Sequence, residues 1–230
     1  MNQSEHQRRA YLEALGIDLW VGRDHVDAAP QVDGAQIAGE PALPADAGWP
    51  ELRAAVSGCT RCALHEGRTQ TVFGVGSENA DWMIIGEAPG AEEDRRGEPF
   101  VGRAGKLLDE MLRAVGQSRD SVFIANILKC RPPNNRDPKP EESEQCRGYL
   151  ERQIELVRPK IIIAVGRIAA QLLLATDTPV GRLRGKPHHL GKTPIVVTYH
   201  PAYLLRSPSQ KRKSWDDLQL AQRVAAEVAA

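Results

Sequence analysis

The chain has 230 residues, 41% hydrophobic and 26% charged, with 30 basic side chains against 30 acidic. That length supports one substantial core, and the neutral total excludes a bulk attraction to polyanions, so any nucleic-acid contact must come from local charge. No apolar run approaches the ~20 residues needed to cross a membrane, and the polar stretch Met1–Arg9 lacks a signal-peptide core, so a cytoplasmic protein with no membrane contact is expected.

Residues 4–19 read as a short helix, with Tyr11, Leu12, Leu15, Leu19 and Trp20 at roughly helical spacing. Residues 27–50 are rich in Ala, Pro, Gly and Asp without periodicity, the composition of a flexible linker. The expected organisation is therefore a helix plus linker over 1–50 and a folded domain over 51–230. The helix either docks on the core or serves as a tethered peptide for a protein partner. The four cysteines Cys59, Cys62, Cys130 and Cys146 include one Cys-x-x-Cys pair. In a reducing compartment such a set binds a metal or cluster more often than it forms disulfides, and the spacing leaves open which metal.

Beyond residue 50, four short apolar runs read as buried strands: Trp82–Ile85, Val122–Ile127, Ile161–Val165 and Ile195–Tyr199. Amphipathic stretches at Arg103–Val115, Pro140–Val157 and Arg167–Leu174 read as helices between them. This alternation predicts a three-layer α/β/α sandwich around a mostly parallel four-stranded sheet. In such a fold, ligands bind beyond the carboxyl ends of the strands. Those ends carry Gly86-Glu87-Ala88-Pro89-Gly90, Asn126, Gly166-Arg167 and His200-Pro201-Ala202.

Each of these groups has a plain structural reading beside a functional one. The glycine-rich turn is either simple geometry or a close backbone approach to a ligand. A buried Asn126 either pairs with loop backbone or reads a base edge that offers one donor and one acceptor. Phe100, within Gly97-Glu98-Pro99-Phe100-Val101-Gly102, is a core plug or a stacking platform for a base. His200 is structural, or it stabilises charge on a leaving group. The segment Pro179–Ser214 contains no Asp or Glu but holds Arg182, Arg184, Lys186, Lys192, Arg206, Lys211, Arg212 and Lys213. It is a solvated basic face or a phosphate-binding surface.

Taken together, Cys59-Thr-Arg-Cys62, GEAPGAEED (86–94), GEPFVGRAGKLLDEML (97–112), Asn126-Ile-Leu-Lys-Cys130-Arg-Pro-Pro, Cys146 and Tyr199-His-Pro-Ala-Tyr-Leu-Leu-Arg206 resemble the family 4 uracil-DNA glycosylases, the iron–sulfur branch of that superfamily. The resemblance runs from about Val56 to the C-terminus. It implies a monofunctional, monomeric enzyme acting on uracil-containing DNA and a [4Fe–4S] cluster on Cys59, Cys62, Cys130 and Cys146. It further implies that Gly86, Ala88 and Gly90 line the uracil site, that Phe100 stacks on the extruded base and that Asn126 reads its edge. His200 is expected to stabilise charge on O2, and Glu93 to block a thymine methyl group. Leu204 or a neighbour is expected to fill the gap in the DNA, with Arg206 near phosphate. Ala88 stands where family 1 relatives carry a water-positioning Asp, which leaves Glu87 as the adjacent carboxylate. Two other readings use parts of the same pattern. One is a non-catalytic iron–sulfur DNA-binding module associated with a polymerase. The other is a flavodoxin-like nucleotide binder, which lacks here its Ser/Thr-rich phosphate loop.

Overall fold

The structure, a computed structural model, describes residues 46–229. The helix expected over residues 4–19 and nearly all of the expected linker lie outside the described residues. The linker's last residues do not behave as linker. Helix α1 (Trp49–Ser57) already begins before residue 51, and Trp49 packs on Phe73 and Phe123 with ring centroids 6.0 and 5.4 Å apart. Pro at the first turn of α1 suits a helix start, because its missing N–H would have no partner there.

The chain continues through α2 (Leu64–Gly67), β1 (Val75–Gly76), β2 (Trp82–Gly86), α3 (Ala91–Arg96), α4 (Arg103–Ala114) and β3 (Phe123–Asn126). Then follow α5 (Pro140–Val157), β4 (Ile161–Val165), α6 (Arg167–Leu173), α7 (Val180–Leu183) and β5 (Pro187–Leu190). The described part ends with β6 (Thr193–Thr198), α8 (Pro201–Arg206) and α9 (Lys211–Ala229). The described strands form one sheet in the order β1-β3-β2-β4-β6-β5, six strands rather than the four expected. The inner four are the expected ones and run parallel. The two additions are antiparallel edges. Their sequences hid them: β1 is only Val75-Gly76, and β5 is a half-exposed Pro-His-His-Leu with no apolar run.

Both faces of the inner strands are covered, which is why they read as continuous apolar runs. Met83, Ile85, Phe123, Ala125, Ile162 and Val197 point to a core closed by α1, α5, α6 and α7. Trp82, Ile84, Ile124, Ile163 and Val196 point the other way, to Leu108 and Leu112 of α4 and Leu218 and Ala221 of α9. The expected three-layer α/β/α sandwich is what forms. The chain steps from β3 across β2 to β4, so β2 lies at the topological switch, where a crevice opens at the carboxyl ends.

An ion pair fastens α9 to the loop after α7. Arg184 Nε donates to Asp217 Oδ2 at 3.0 Å and its Nη2 lies 2.9 Å from Oδ1, with the Asp217 side chain fully buried. Replacing Arg184 by Met leaves that carboxylate buried without its cation, which costs about 3 kcal/mol or more. A lowered urea midpoint for Arg184→Met, largely recovered in Arg184→Met/Asp217→Leu, is the expected result.

Candidate active site

The site starts from the pairing of β2 with β3. In register, Gly86 faces Asn126, and the ladder continues past both strand ends through Ile127 N–H to Gly86 O at 3.0 Å and Leu128 N–H to Glu87 O at 3.0 Å. A β-carbon on Gly86 would lie 2.4 Å from Asn126 Oδ1 and 2.6 Å from Phe100 Cζ. Only glycine lets these three residues meet. Asn126 is 2% exposed, and its Oδ1 has no hydrogen-bond partner among the described residues. An acceptor buried without a donor is costly, so this oxygen is placed for a donor that arrives from outside the chain.

Phe100 is held in a left-handed conformation, φ 55°, that costs a non-glycine residue of order 1 kcal/mol or more. Its neighbours impose it. Arg119 Nη1 donates to Phe100 O at 3.1 Å and Nη2 to Pro99 O at 2.6 Å. On the other side, α4 crosses so closely that a β-carbon on Gly105 would lie 1.7 Å from Phe100 O. The Phe100 ring stacks on His200 with centroids 5.6 Å apart and planes 30° apart. His200 in turn rests against Gly166, φ 96°, where a β-carbon would sit 3.0 Å from His200 Cβ.

Glu93, expected to contact the base, is bound up in the protein itself. Its Oε1 accepts from Val101 N–H and Gly102 N–H at 2.9 and 3.0 Å, and its Oε2 from Gly90 N–H at 3.1 Å. The carboxylate therefore ties the Gly86–Gly90 turn to the Phe100 turn. Ala88 is half-buried and packs on the core. Of the residues expected at the gap in the DNA, Leu204 or a neighbour, Leu204 is 1% exposed on the buried face of α8, whereas Tyr203 and Leu205 are 36% and 38% exposed. Arg206 is exposed at the end of α8.

Burial shifts two ionisable groups at the rim. It lowers His200 to about 4, helped by the charge of Arg206 and opposed by that of Glu93. The ring is thus neutral at pH 7. His200 also caps α8, its Nδ1 accepting from Ala202 N–H at 3.1 Å. A neutral imidazole that accepts at Nδ1 carries its proton on Nε2, so a fixed, uncharged N–H donor results. Burial raises Glu87 to about 7, with the Asp137 carboxylate pushing the same way and Arg167 pulling back. Asp137 and Arg167 themselves form an ion pair that pins the 131–139 loop beside the β4 exit.

The four cysteines come together from three places: Cys59 and Cys62 after α1, Cys130 beyond β3, and Cys146 within α5. All four line one pocket with Val56, Leu64 and Tyr149, as free thiols. Two N–H groups point at the sulfurs: Arg68 Nη1 to Cys130 Sγ at 3.1 Å and Lys129 backbone N–H to Cys146 Sγ at 3.3 Å. A soft, all-sulfur set with N–H···S donors fits an iron–sulfur cluster. Burial pushes the Cys62 and Cys130 thiols up, and Cys146 to about 11, so a metal must displace protons as it binds.

Several residues of the site escaped the sequence reading. Glu93's bridging role, Arg119 and the Asp137–Arg167 pair left no local signal, because the partners are brought together only by the fold. Lys129 did leave one, as a lone charge in the apolar run around Asn126. It is 1% exposed. Burial lowers it to about 8, and the Cys146 thiolate works against that shift.

The model of the uracil DNA glycosylase superfamily matches residues 73–219. A type-4 uracil-DNA glycosylase of Archaeoglobus fulgidus is 46% identical, over 70% of this chain and 85% of that protein. One from Thermotoga maritima is 45% identical, over 68% of this chain and 82% of that protein. A type-5 uracil-DNA glycosylase of Pyrobaculum aerophilum is 32% identical, over 56% of this chain and 64% of that protein.

Nitrogen NMR of the imidazole checks the histidine assignment directly. His200 is expected to show one neutral tautomer, protonated at Nε2, from about pH 8 to about pH 5, where an ordinary histidine would titrate. An imidazolium signal at pH 6 would contradict it.

Proposed function

The chain belongs to the uracil DNA glycosylase superfamily and to its type-4 branch, and from that premise we propose that it takes uracil out of the DNA stack and hydrolyses its N-glycosidic bond. One observation carries the reading most of the way: the partnerless Oδ1 of Asn126, buried beside Gly86 and the Phe100 ring. Uracil offers N3–H and O4 along one edge. The Asn126 amide can accept from the first with Oδ1 and donate to the second with Nδ2. Cytosine presents the opposite pattern, so its amino group and ring nitrogen would leave both Asn126 groups mismatched. Phe100 supplies the aromatic face for the extruded base, and paired bases cannot reach this site without leaving the duplex.

In the reaction the C1′–N1 bond breaks with its electrons moving into the uracil ring, largely onto O2, while a water oxygen bonds to C1′. A charged imidazolium is not needed for the leaving group. The His200 Nε2–H is a preoriented neutral donor in a desolvated setting, where one such donor lowers the barrier by ~3–4 kcal/mol. The water's proton passes to Glu87, whose raised carboxyl is about half ionised at neutral pH. Hydrolysis leaves an abasic site.

Cys59, Cys62, Cys130 and Cys146 would hold a [4Fe–4S] cluster, which when bound supplies a cross-link among α1, the β3 exit and α5 rather than a reactive group. DNA would lie along the exposed end of α8, where Leu205 and Tyr203, not Leu204, are free to enter the gap left by the base. Arg206 and the acid-free segment through Lys211, Arg212 and Lys213 would meet phosphates.

On an oligonucleotide with one uracil, followed by alkali, the native protein is expected to give cleavage. Asn126→Ala and His200→Ala should each lower the single-turnover rate by ~100-fold or more. Intact DNA from native protein would end the reading. The pH profile tests Glu87 separately: the base is lost as pH falls through about 7. The native rate should therefore rise towards pH 7 and level above it, and Glu87→Gln should be slower and flat across the same range.

A further inference from the structure

Lys129 has surroundings that the catalytic scheme does not use. Its ammonium is buried, donating to the backbone O of Asn126 at 2.8 Å and to Gln153 Oε1 at 2.6 Å. Gln153, itself fully buried, is anchored by its Nε2 to Phe73 O at 2.8 Å. Among the described residues both acceptors of the Lys129 ammonium are neutral oxygens, and the one charged group that acts on it is Cys146. Buried charges are normally paired, and the group that opposes the Lys129 charge is sulfur: Lys129 lines the four-cysteine pocket and interacts electrostatically with Cys146. Its backbone N–H also donates to Cys146 Sγ at 3.3 Å, and Cys130 follows it in sequence. Arg68 reaches Cys130 Sγ from the pocket's other flank, at 3.1 Å.

A [4Fe–4S] cluster in its resting oxidation state with four thiolates is doubly negative, and Arg61, Arg68 and Lys129 bring positive charge to the pocket that would hold it, Arg61 beside Cys59, Arg68 on Cys130 and Lys129 next to Cys146. We propose that Lys129 is a positioning residue that couples the four-cysteine centre to base recognition: its ammonium balances the centre's negative charge while it fixes the backbone of Asn126. This rests on the [4Fe–4S] reading of the pocket. Without that charge the ammonium loses its counter-ion, and the support under Asn126 loosens even though no cysteine touches uracil. The cluster then affects the reaction through place, not through electron transfer.

The test uses the cluster-loaded full chain in native, Lys129→Met, Lys129→Arg and Gln153→Leu forms. Voltammetry reads the one-electron reduction, which takes the centre from doubly to triply negative. Lys129→Met removes a neighbouring cation and is expected to shift the midpoint to more negative potential, and Lys129→Arg to bring it back. On uracil oligonucleotide, Lys129→Met should slow single-turnover release roughly ten-fold or more while the Kd for the DNA stays near native. Gln153→Leu keeps the charge but removes one tether, so it should slow release at an unchanged potential. This variant decides the coupling if Lys129→Met fails to fold. A native potential in Lys129→Met, or native release rates in both Lys129→Met and Gln153→Leu, overturns the proposal. Iron-free, zinc-loaded native protein also overturns it. Native protein that fails to release uracil would instead defeat the enzymatic reading, while the potential shift would still report on Lys129.

Discussion

A β-carbon on Gly86 would stand within 2.6 Å of both Asn126 Oδ1 and Phe100 Cζ, and the whole rim is arranged around its absence. Parallel pairing of β2 and β3 puts Gly86 opposite Asn126. The missing side chain then allows the amide, the aromatic ring and the backbone turn to share one small volume. The same device recurs around it. Gly105 lets α4 press on the Phe100 carbonyl, and Gly166 lets β4 end against His200. Each side chain of the site is thus positioned by a backbone that comes closer than any other residue would permit. The strained φ of Phe100 is the visible cost, offset by Arg119 and by the Glu93 carboxylate in the adjoining turn.

One physical cause, desolvation, sets both ionisable groups of the proposed reaction. It disfavours charge, so it pushes a histidine down and a carboxylic acid up. His200 consequently stays neutral, while Glu87 approaches neutral pH as an adjustable base. The cap contact to Ala202 adds what burial cannot, the choice of tautomer. Divergent environments for neighbouring titratable groups are a common way for one site to divide acid and base work.

The fold and the site were legible in the sequence to different depths. The inner strands announced themselves because both faces are buried, and α5 was bounded by Pro140 and by the end of its apolar pattern. The edge strands were not visible, since β1 is two residues long and β5 has solvent on one face. At the site, Gly86, Phe100, Asn126 and His200 fall at the strand ends and turns from which they were inferred, and they do meet. What the sequence could not show was direction. Neighbouring residues of a helix point to different sides, so Leu204 and Leu205 exchange roles depending on where α8 starts, and Pro201 sets that start. Likewise, nothing local shows that Glu93 turns back to its own backbone, because its donors lie three to nine residues away across a glycine turn.

His200 is the first residue of the α8 motif and its cap, while Leu205 projects from the other end. At six residues the helix is a rod about 9 Å long, too short to bend appreciably. Leu205 and the His200 imidazole are therefore mounted on one stiff element. Leu205 cannot be displaced along the helix axis without a load on the His200 cap, so the exposed end of α8 and the imidazole hold a constant separation.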